Sequence, residues 1–431
     1  MTPAARLQAA IDILDGLAVS GLPADRFIRE FFRARRYAGS KDRASVIEQV
    51  YDVLRHRARY AWRVRSESTR ALFIAALLHE GADADAIAAL FNGDGYGPAA
   101  LSDDEKTAIA NPPSGDMPLD VQGAFPAFLT AELQRRFGDA LLEEMQALIE
   151  RAPVDLRVNT LRSERIDVLR PLWESGFDAQ ASTFAPHGIR IAAGKGSATL
   201  QQSKLFRDGA FEFQDEAAQI AAMLCNAKTG MRVLDLAAGA GGKSLALSAT
   251  MQNRGNVVAC DVRPGALDQL RERASRAGVE VITAKLVSRL RDDEMFDIVL
   301  VDAPCSGTGT WRRQPELRWR LTPERLDELN GLQDTLLAQA AAHVQPGGRL
   351  VYATCSVLPR ENEDRVAAFL AAHLNFKPMR AEAAWRESGQ EIAVPGMAEF
   401  FHASPHRTGT DGFFAAILEH SPSTPLGERA G

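Results

Sequence analysis

The apolar residues in the first part of the chain recur at the spacing of amphipathic helices. The stretches ARLQAAIDILDGL, DRASVIEQVYDVLR and STRALFIAALLHE each place apolar side chains on one helical face, and no strand pattern competes with them. Glycine, proline and aspartate then become frequent over residues 92–120, which indicates the edge of a domain. The pattern predicts an all-α domain over residues 1–120.

A different pattern follows this edge. Residues 125–150 predict a pair of amphipathic helices. The stretches VDLRVNTLR and HGIRIAAG are typical of short strands, with a further helix between them. We therefore predict a small α+β segment over residues 121–210.

From residue 211 onward, short β-branched runs alternate with helical patterns. The runs RVLDLA, NVVACDV, VEVITAKL, FDIVLVDA and GRLVYATC predict a doubly wound, mostly parallel sheet, and thus an α/β domain over residues 211–425. Ligands of such sheets bind beyond the carboxyl ends of the strands. Four of these predicted ends carry polar or reactive side chains, namely Asp235, Asp261, Asp302 and Cys355.

Composition narrows the class of protein. The chain has 431 residues, 46% of them hydrophobic, which is enough for two or three domains. The N-terminal residues lack the pattern of a secretory signal, and no apolar run has membrane-spanning length. The four cysteines are isolated, and neither they nor the histidines show the spacing of metal ligands. We expect a cytoplasmic monomer that binds neither membrane nor metal.

Charge is distributed unevenly along the chain. The net charge of −6 argues weakly against a nucleic-acid partner, but residues 1–70 hold 14 Lys and Arg against 8 Asp and Glu, whereas residues 71–150 hold 3 against 14. The basic part contains Arg33, Arg35 and Arg36 among aromatic residues. Two interpretations stay open for these arginines: a solvated helix face, or a patch that binds phosphates.

A glycine-rich turn follows the first strand of the α/β domain. Glycines there allow a ligand to approach the backbone, and the next helix presents free N–H groups. The spacing is too short for a P-loop, whereas Asp261, at the next strand end, can bind a ribose. A nicotinamide cofactor and S-adenosylmethionine both remain open. The residues that this pattern itself marks are Gly239, Gly241, Gly242 and Asp261.

Two cysteines follow predicted strand ends, in DAPCSG and YATCSV. Two thiols beside an acid and a nucleoside site indicate covalent chemistry on a base. A thiolate that adds to carbon 6 of cytosine, with Asp302 donating a proton to nitrogen 3, makes carbon 5 able to attack a sulfonium methyl group. Asp302 could donate if burial raised its pKa. The residues alone leave open whether Cys305 or Cys355 attacks, and either one alone is more often a core residue.

Six stretches together resemble the motifs of the RNA (cytosine-5)-methyltransferase family, in its Sun and Rsm group. They are LRVNTLR, FQDEAAQ, LDLAAGAGGKS, VLVDAPCSGTGTWRRQPELRWR, YATCSVLPRENE and TDGFF, and the resemblance covers roughly residues 150–420. SKDRASVIEQVYDVLRHR is more loosely similar to the NusB-like domain of bacterial members that methylate small-subunit ribosomal RNA.

The resemblance implies a Rossmann-like S-adenosylmethionine-dependent methyltransferase domain, preceded by a NusB-like RNA-binding domain and an α+β RNA-binding segment. It also implies roles for the cysteines. DNA cytosine methyltransferases use a Pro-Cys nucleophile, which would point to Cys305, but in the RNA family the Thr-Cys cysteine attacks, here Cys355. Cys305 then helps to break the adduct. The resemblance further implies that the following residues contact S-adenosylmethionine or the target base: Ala237, Ala238, Gly239, Ala240, Gly241, Gly242, Lys243, Asp261 and Asp302.

The sequence departs from the family pattern at two places. The glycine-rich turn lacks its usual proline. The stretch VITAKLVSR offers Thr283, Lys285 and Ser288 but lacks the acid that usually contacts the cofactor adenine. The manner in which adenine is held is therefore open.

Further residues fit RNA handling. Arg312 and Arg313, beside Trp311, could clamp a phosphate or stack on a displaced base, and Arg157 and Asn159 could contact the RNA backbone. Local ion pairing is the alternative for each. We interpret Gln214, Asp215, Phe413 and Phe414 as structural.

Two rival functions remain. A nicotinamide oxidoreductase could use the same fold, although it would not need two cysteines at strand ends. An RNA-binding ribosome-assembly factor with a relict methyltransferase domain is the other rival.

Overall fold

The computed structural model describes residues 1–193 and 197–422, which form two compact units. The helical unit consists of Met1–Glu150 and Trp311–Leu321. The sheet unit consists of Arg151–Thr310 and the described part of Thr322–Gly431. The chain thus leaves the sheet unit after Thr310 and returns to it at Thr322. We call the intervening segment, Trp311–Leu321, the strap.

The helical unit is built on the apolar stripes that the sequence predicts. The three apolar stripes named above pack into one core, to which they contribute Ile13, Val50 and Phe73, respectively. The helices are α1 (Pro3–Ser20), α2 (Ala24–Ala34), α3 (Ser40–Val64), α4 (Thr69–His79), α5 (Ala84–Leu90), α6 (Asp103–Ala110), α7 (Leu119–Gln122), α8 (Thr130–Phe137) and α9 (Leu141–Ile149).

Helix α6 begins inside the stretch that the sequence analysis treats as a domain edge. The Ser102 hydroxyl accepts a hydrogen bond from the Glu105 amide, and the Glu105 carboxylate accepts one from the Ser102 amide. Such a capping box satisfies two backbone donors and stabilises a short helix despite its polar composition.

The strap packs into the helical unit and contains a short helix at Glu316–Arg320. Trp311 is fully buried. The Glu316 carboxylate accepts a hydrogen bond of 3.0 Å from the amide of Ala24, where α2 begins. Arg320 donates to the carbonyl of Leu17 on α1 at 2.9 Å. The strap is therefore an integral part of this unit.

The sheet unit begins with a small antiparallel sheet of order β2-β3-β1-β4. Its strands are β1 (Val154–Val158), β2 (Ala179–Ala181), β3 (Gly188–Ile191) and β4 (Phe211–Phe213). Helix Arg165–Glu174 packs on it, and Leu156, Leu169 and Phe211 belong to the core between them. Two short helices, Ser197–Gln201 and Lys204–Arg207, precede β4.

The large sheet has eight strands in the order β10-β12-β9-β8-β5-β6-β7, with β11 paired to β12. They are β5 (Arg232–Asp235), β6 (Asn256–Asp261), β7 (Ile282–Leu286), β8 (Phe296–Asp302), β9 (Val344–Thr354), β10 (Phe376–Met379), β11 (Phe401–Ala403) and β12 (Phe413–His420). Strands β5 to β9 are parallel to their neighbours in this set, whereas β10, β11 and β12 pair antiparallel. The chain order reverses between β5 and β8, which confirms the doubly wound α/β fold.

Helices connect the parallel strands and cover both faces of the large sheet. Buried apolar residues form one core on each face, represented by Val233 and Leu247 on one side and by Leu234 and Leu337 on the other. The remaining helices are Glu216–Leu224, Gly242–Thr250, Pro264–Ala277, Pro323–Ala341, Glu363–Ala372, Ala381–Glu387 and Pro405–Thr408.

The two compact units do not coincide with the predicted division at residues 120 and 210. Helices α8 and α9 complete the helical unit, and the small sheet belongs to the same unit as the large one. Glu212 on β4 of the small sheet forms ion pairs with Arg273 and Arg276 of helix Pro264–Ala277. These contacts join the small sheet to the α/β part of the same unit. Residues 423–425 of the predicted α/β domain lie outside the described residues. No described helix is long and apolar enough to cross a membrane.

Candidate active site

Two thiols meet at the carboxyl edge of the large sheet. Cys305 follows β8 and Cys355 follows β9, and these adjacent parallel strands end side by side, with Asp302 opposite Ala353. The two Sγ atoms lie 3.3 Å apart, and both side chains are half-buried. Residues separated by fifty positions in the chain therefore share one small site.

The two thiols are electrostatically coupled. The hydrogen bond with Cys355, followed by burial and by the charge of Glu361, raises the pKa of Cys305 well above its ordinary value. Cys305 is thus a protonated thiol at neutral pH. A protonated Cys305 can donate a hydrogen bond to a Cys355 thiolate.

Lys243 and Asp302 form an ion pair beside the thiols, with Nζ and Oδ2 2.6 Å apart. Lys243 is buried, and its Nζ lies 4.9 Å from the centre of the Phe413 ring. Burial alone would lower the pKa of Lys243, but the Asp302 carboxylate raises it above its ordinary value, with a smaller contribution from Cys355. Lys243 therefore stays positively charged and favours negative charge on its neighbours.

Glu361 is a site residue that the sequence analysis missed. It is fully buried, and its carboxylate accepts hydrogen bonds from the Ser306 amide at 2.8 Å, from the Ser306 hydroxyl, from the Ser356 hydroxyl at 2.5 Å and from the Gln333 amide at 3.0 Å. Ser306 and Ser356 directly follow the two cysteines. One carboxylate therefore holds both cysteine loops. The sequence feature that could have indicated Glu361 is PRENE, a polar run shortly after the Thr-Cys motif.

The glycine-rich turn lies at the carboxyl end of β5. Gly239 and Gly241 have φ of +55° and +80°, a region that favours glycine. A Cβ on Gly241 would lie 2.6 Å from Leu270 Cγ, whereas a Cβ on Gly239 or Gly242 would meet nothing nearer than 3.7 Å. A methyl group at either of these two positions would therefore make only ordinary van der Waals contacts beside the start of helix Gly242–Thr250. The loop residues of this turn are Ala237, Ala238, Gly239, Ala240, Gly241 and Gly242.

Asp261 closes the other side of this turn at the end of β6. Its Oδ2 accepts a hydrogen bond of 2.9 Å from the Gly239 amide, and Arg263 donates to both carboxylate oxygens. Burial alone would raise the pKa of Asp261, but the hydrogen bonds from Arg263 and Gly239 hold it below its ordinary value. Asp261 is therefore ionised. The Arg263 side chain is 69% exposed, so a ligand can replace it without unpacking the protein.

Asp235 lies at the end of β5, beneath the turn, and is fully buried. The Ser244 hydroxyl donates to its Oδ2 at 2.6 Å, and its Oδ1 has no hydrogen-bond partner among the described residues. Burial raises the pKa of Asp235 to about 7, against the opposing effect of the Ser244 hydrogen bond. A polar atom without a partner at this depth fits a donor group supplied by a ligand.

A carboxylate does lie near the third parallel strand, although VITAKLVSR contains none. Glu294 accepts hydrogen bonds of 2.7 and 2.9 Å from Lys285 on β7. Because Glu294 follows the strand only after an intervening loop, the strand motif does not reveal it.

The structure gives Arg157 and Asn159 contacts inside the sheet unit. Arg157 is buried and donates to the Gly242 carbonyl at 3.0 Å, and burial lowers its pKa to about 10. The Asn159 amide donates to the carbonyls of Gly209 and Ala277 at 2.9 and 2.8 Å. These contacts favour a structural role. The predicted contact of both residues with RNA stays a prediction.

The arginines predicted to act near the base lie in the strap. Arg312 is buried, and Arg313 is half-buried. Trp311 is fully buried under Arg318, whose guanidinium carbon lies 4.6 Å from the ring centre. Trp311 therefore has no exposed face for a base.

The predicted basic patch lies at the end of α2, with Arg33 in its last turn and Arg35 and Arg36 directly after it. Arg33 and Arg36 are exposed, whereas the Arg35 guanidinium carbon lies 3.6 Å from the centre of the Phe31 ring. This placement is compatible with both interpretations, the solvated helix face and the phosphate-binding patch. Among the described residues, no group of three or more His, Cys, Asp or Glu side chains could hold a metal ion.

Known proteins share this architecture. Residues 222–419 match the family described as 16S rRNA methyltransferase RsmB/F, and residues 125–196 match the RsmF/B-like ferredoxin-like domain. A Synechocystis protein named "Probable ribosomal RNA small subunit methyltransferase B" is 32% identical over 307 residues, which cover 70% of this chain and 68% of that protein. Ribosomal RNA small subunit methyltransferase B of Shewanella oneidensis is 34% identical over 299 residues, covering 68% and 66%.

Solved structures agree with the sequence matches. The crystal structure of PH0851 covers 97% of this chain and 99% of its own at a TM-score of 0.75 and 26% identity. NSun6 from Pyrococcus horikoshii, solved with the S-adenosylmethionine analogue SFG, shares the fold at a TM-score of 0.59 and 21% identity, covering 69% and 99%. The doubly wound sheet and its site define a methyltransferase with a Rossmann-like fold. Within that class, the chain belongs to the RsmB/F family.

Proposed function

We propose that the protein transfers a methyl group from S-adenosylmethionine to carbon 5 of a cytosine in small-subunit ribosomal RNA, through a covalent bond between Cys355 and carbon 6. The distance of 3.3 Å between the thiols of Cys355 and Cys305 carries this proposal. Addition and elimination at one base need two proton-handling groups in one place. Membership of the RsmB/F family supports ribosomal RNA as the substrate.

The glycine-rich turn and Asp261 fit S-adenosylmethionine. An ionised carboxylate at the second strand end can accept hydrogen bonds from a ribose, and the absence of side chains at Gly239 and Gly242 lets a ligand come close to the backbone. Asp235, with its unpartnered Oδ1, can accept a hydrogen bond from an ammonium group. When bound, S-adenosylmethionine supplies an electrophilic methyl group on a sulfonium centre.

The residues around the thiols have distinct parts in this chemistry. The Asp302 carboxylate takes the proton of the Cys355 thiol, the resulting thiolate forms a bond to carbon 6, and Asp302 passes that proton to nitrogen 3, which neutralises the electron pair displaced through the ring. Lys243 orients Asp302 and favours the Cys355 thiolate. Once Cys355 is bonded to carbon 6, the hydrogen bond and the charge of Cys355 that raise the pKa of Cys305 are removed, so Cys305 can release its proton to solvent and, as a thiolate, take the carbon 5 proton after methylation. The bond to Cys355 then breaks, and nitrogen 3 loses its added proton.

Single substitutions of the two cysteines test the proposal, because each stops the reaction at a different step. Cys355→Ala should be inactive and form no covalent RNA adduct. Cys305→Ala should attack and methylate but release slowly, and so accumulate an adduct that survives denaturing gel electrophoresis. The substrate is small-subunit ribosomal RNA with S-adenosylmethionine, and the double variant serves as the control without adduct.

The reverse pattern would contradict these roles. An adduct in Cys355→Ala that vanishes in Cys305→Ala would make Cys305 the nucleophile, as in DNA cytosine methyltransferases. RNA binding without methyl transfer by the unchanged protein would favour the RNA-binding assembly factor instead.

A further inference from the structure

The helical unit contains an open cleft of about 590 Å³ that the proposed chemistry does not use. It lies where α3 ends, beside the chain that follows α7, and the strap forms one of its walls. Its charged side chains are those of Arg57, Arg65, Glu67 and Asp120, and its two tryptophans are Trp62 and Trp319.

Two half-buried tryptophans give the cleft aromatic surface. The indole nitrogen of Trp319 donates a hydrogen bond of 2.6 Å to the Leu54 carbonyl, which fixes the ring against α3. The Arg57 guanidinium carbon lies 5.9 Å from the centre of that ring. Trp62 lies on α3 and lines the same cleft. Partly exposed aromatic rings beside arginine side chains are the usual platform for unstacked nucleobases.

The positive charges of the cleft are available to an anion. Arg57 pairs with Glu67 at 3.2 Å, but the Glu67 side chain is 79% exposed, and such a pair is weak enough for a phosphate to displace it. Arg65 is exposed and has φ of +53°, an uncommon conformation for a residue other than glycine. Asp120 is the other acid of the lining.

The protein beneath the cleft adds positive potential. Arg318 of the strap is fully buried and donates to the carbonyls of Arg55 and Leu148 at 3.4 and 3.3 Å. Burial, followed by repulsion from Arg59 and Arg55, lowers its pKa to about 9. Three arginines thus repel one another within the region that supports the cleft, and nearby anions are attracted.

We propose that this cleft binds one unpaired nucleotide of the RNA, with its base against Trp319 and Trp62 and its phosphate between Arg57 and Arg65. The inference rests on the proposed function, because it assumes an RNA substrate. An unpaired nucleotide fits better than a duplex, since bases within a helix already stack on one another and leave no face for a tryptophan. The strap thereby contributes to RNA binding through Trp319 rather than through Trp311.

Binding of a labelled RNA oligonucleotide to the full chain tests this cleft. The measurements use the Cys355→Ala background and compare a single strand with a duplex of the same sequence. Trp62→Ala and Trp319→Ala should each weaken binding of the single strand by about tenfold and change binding of the duplex little. Trp62→Phe should retain much of the affinity, and Arg65→Glu should weaken both complexes and reduce their dependence on salt.

Controls separate a local effect from unfolding. Leu374→Ala removes an apolar side chain that is 89% exposed in the sheet unit, and Arg380→Glu reverses an exposed charge there; neither should alter RNA affinity. Circular dichroism checks folding, and Trp62→Phe and Arg65→Glu keep the test informative if Trp319→Ala does not fold.

Two results for the tryptophan-to-alanine variants would overturn the proposal: unchanged affinity for the single strand, which leaves the cleft to a peptide partner, or equal losses for single strand and duplex. Because every binding measurement uses the Cys355→Ala background, the result does not depend on methyl transfer. Failure of the proposed methyl transfer can therefore be distinguished from failure of nucleotide binding in the cleft.

Discussion

The two units use charged side chains in different ways. In the sheet unit, Lys243 and Asp302 lie at the carboxyl edge of parallel strands and form one small cluster with the thiols. In the helical unit, Arg59 donates to the Gln122 carbonyl at 3.0 Å and Arg63 to the Ala108 carbonyl at 3.2 Å, a use of arginine that Arg157 also shows in the sheet unit. Only part of the positive charge in the basic sequence therefore reaches the surface as a free binding group.

The two units also differ in how well the amino-acid sequence predicts the positions of their functional side chains. Strand order brings residues at strand ends together whatever their distance in sequence, so the chemistry at such ends can be located from the amino-acid sequence alone. A count of arginines does not distinguish a donor that caps a helix carbonyl from one that faces solvent. The following predictions test the contrast, from the largest expected effect to the smallest.

Trp311→Ala should destabilise the helical unit, because it removes a large, fully buried side chain of the strap. The expected loss in the free energy of unfolding is about 3–5 kcal/mol. Denaturant unfolding followed by circular dichroism measures it. Trp173→Ala, at a position that is 49% exposed, is the matched control and should cost far less. Similar losses for both variants would show that the strap is not part of the core.

Glu361→Gln should slow methyl transfer with little change in cofactor affinity, because the residue positions both cysteine loops without lying in the glycine-rich turn. We expect a cost of about 1–3 kcal/mol in the activation barrier. The charge of Glu361 raises the pKa of Cys305, so the variant should move the Cys305 titration, and the pH profile of adduct breakdown, to lower pH.

Single-turnover kinetics across pH checks this expectation. Glu382→Gln, whose side chain is 42% exposed, is the control. A slower reaction with an unshifted pH profile would leave Glu361 a purely structural role.

Charge reversal of Arg33, Arg35 and Arg36 should weaken RNA binding and reduce the salt dependence of the affinity, with a slope smaller by up to about three. Cofactor affinity should not change. Arg380→Glu, which reverses an exposed charge of the sheet unit, is the control. RNA affinity and salt slope equal to those of the unchanged protein would assign the patch to a solvated helix face.

Much of the sheet unit could be predicted from sequence because its signals are local. Short β-branched runs, glycines with positive φ and acids at strand ends each mark one position, and the parallel sheet then assembles them. The antiparallel strands β10 and β11 were not predicted, because four and three residues are too few to show an alternating pattern. Asp302 was expected to be a buried acid, but its side chain is 36% exposed and paired with Lys243.

The sequence did not reveal which residues distant along the chain contact each other in the folded protein. An amphipathic pattern over residues 125–150 shows that these helices bury one face but not which unit they bury it against. The role of the Glu361 carboxylate likewise becomes visible only in the folded structure, where Ser306 and Ser356 lie within hydrogen-bond distance of it. No feature of the sequence predicted that the strap belongs to the helical unit although the chain on both sides of it belongs to the sheet unit.

The strap also constrains the order in which the protein can fold during synthesis. Domains usually fold as units as they emerge from the ribosome, the N-terminal one first. Here the helical unit lacks Trp311 and Arg318, which fill its interior, until translation has passed through most of the parallel sheet. The nascent chain must therefore keep an unfinished N-terminal unit open while the next one is being made. A fragment ending at residue 150 should accordingly be a poor substitute for that unit.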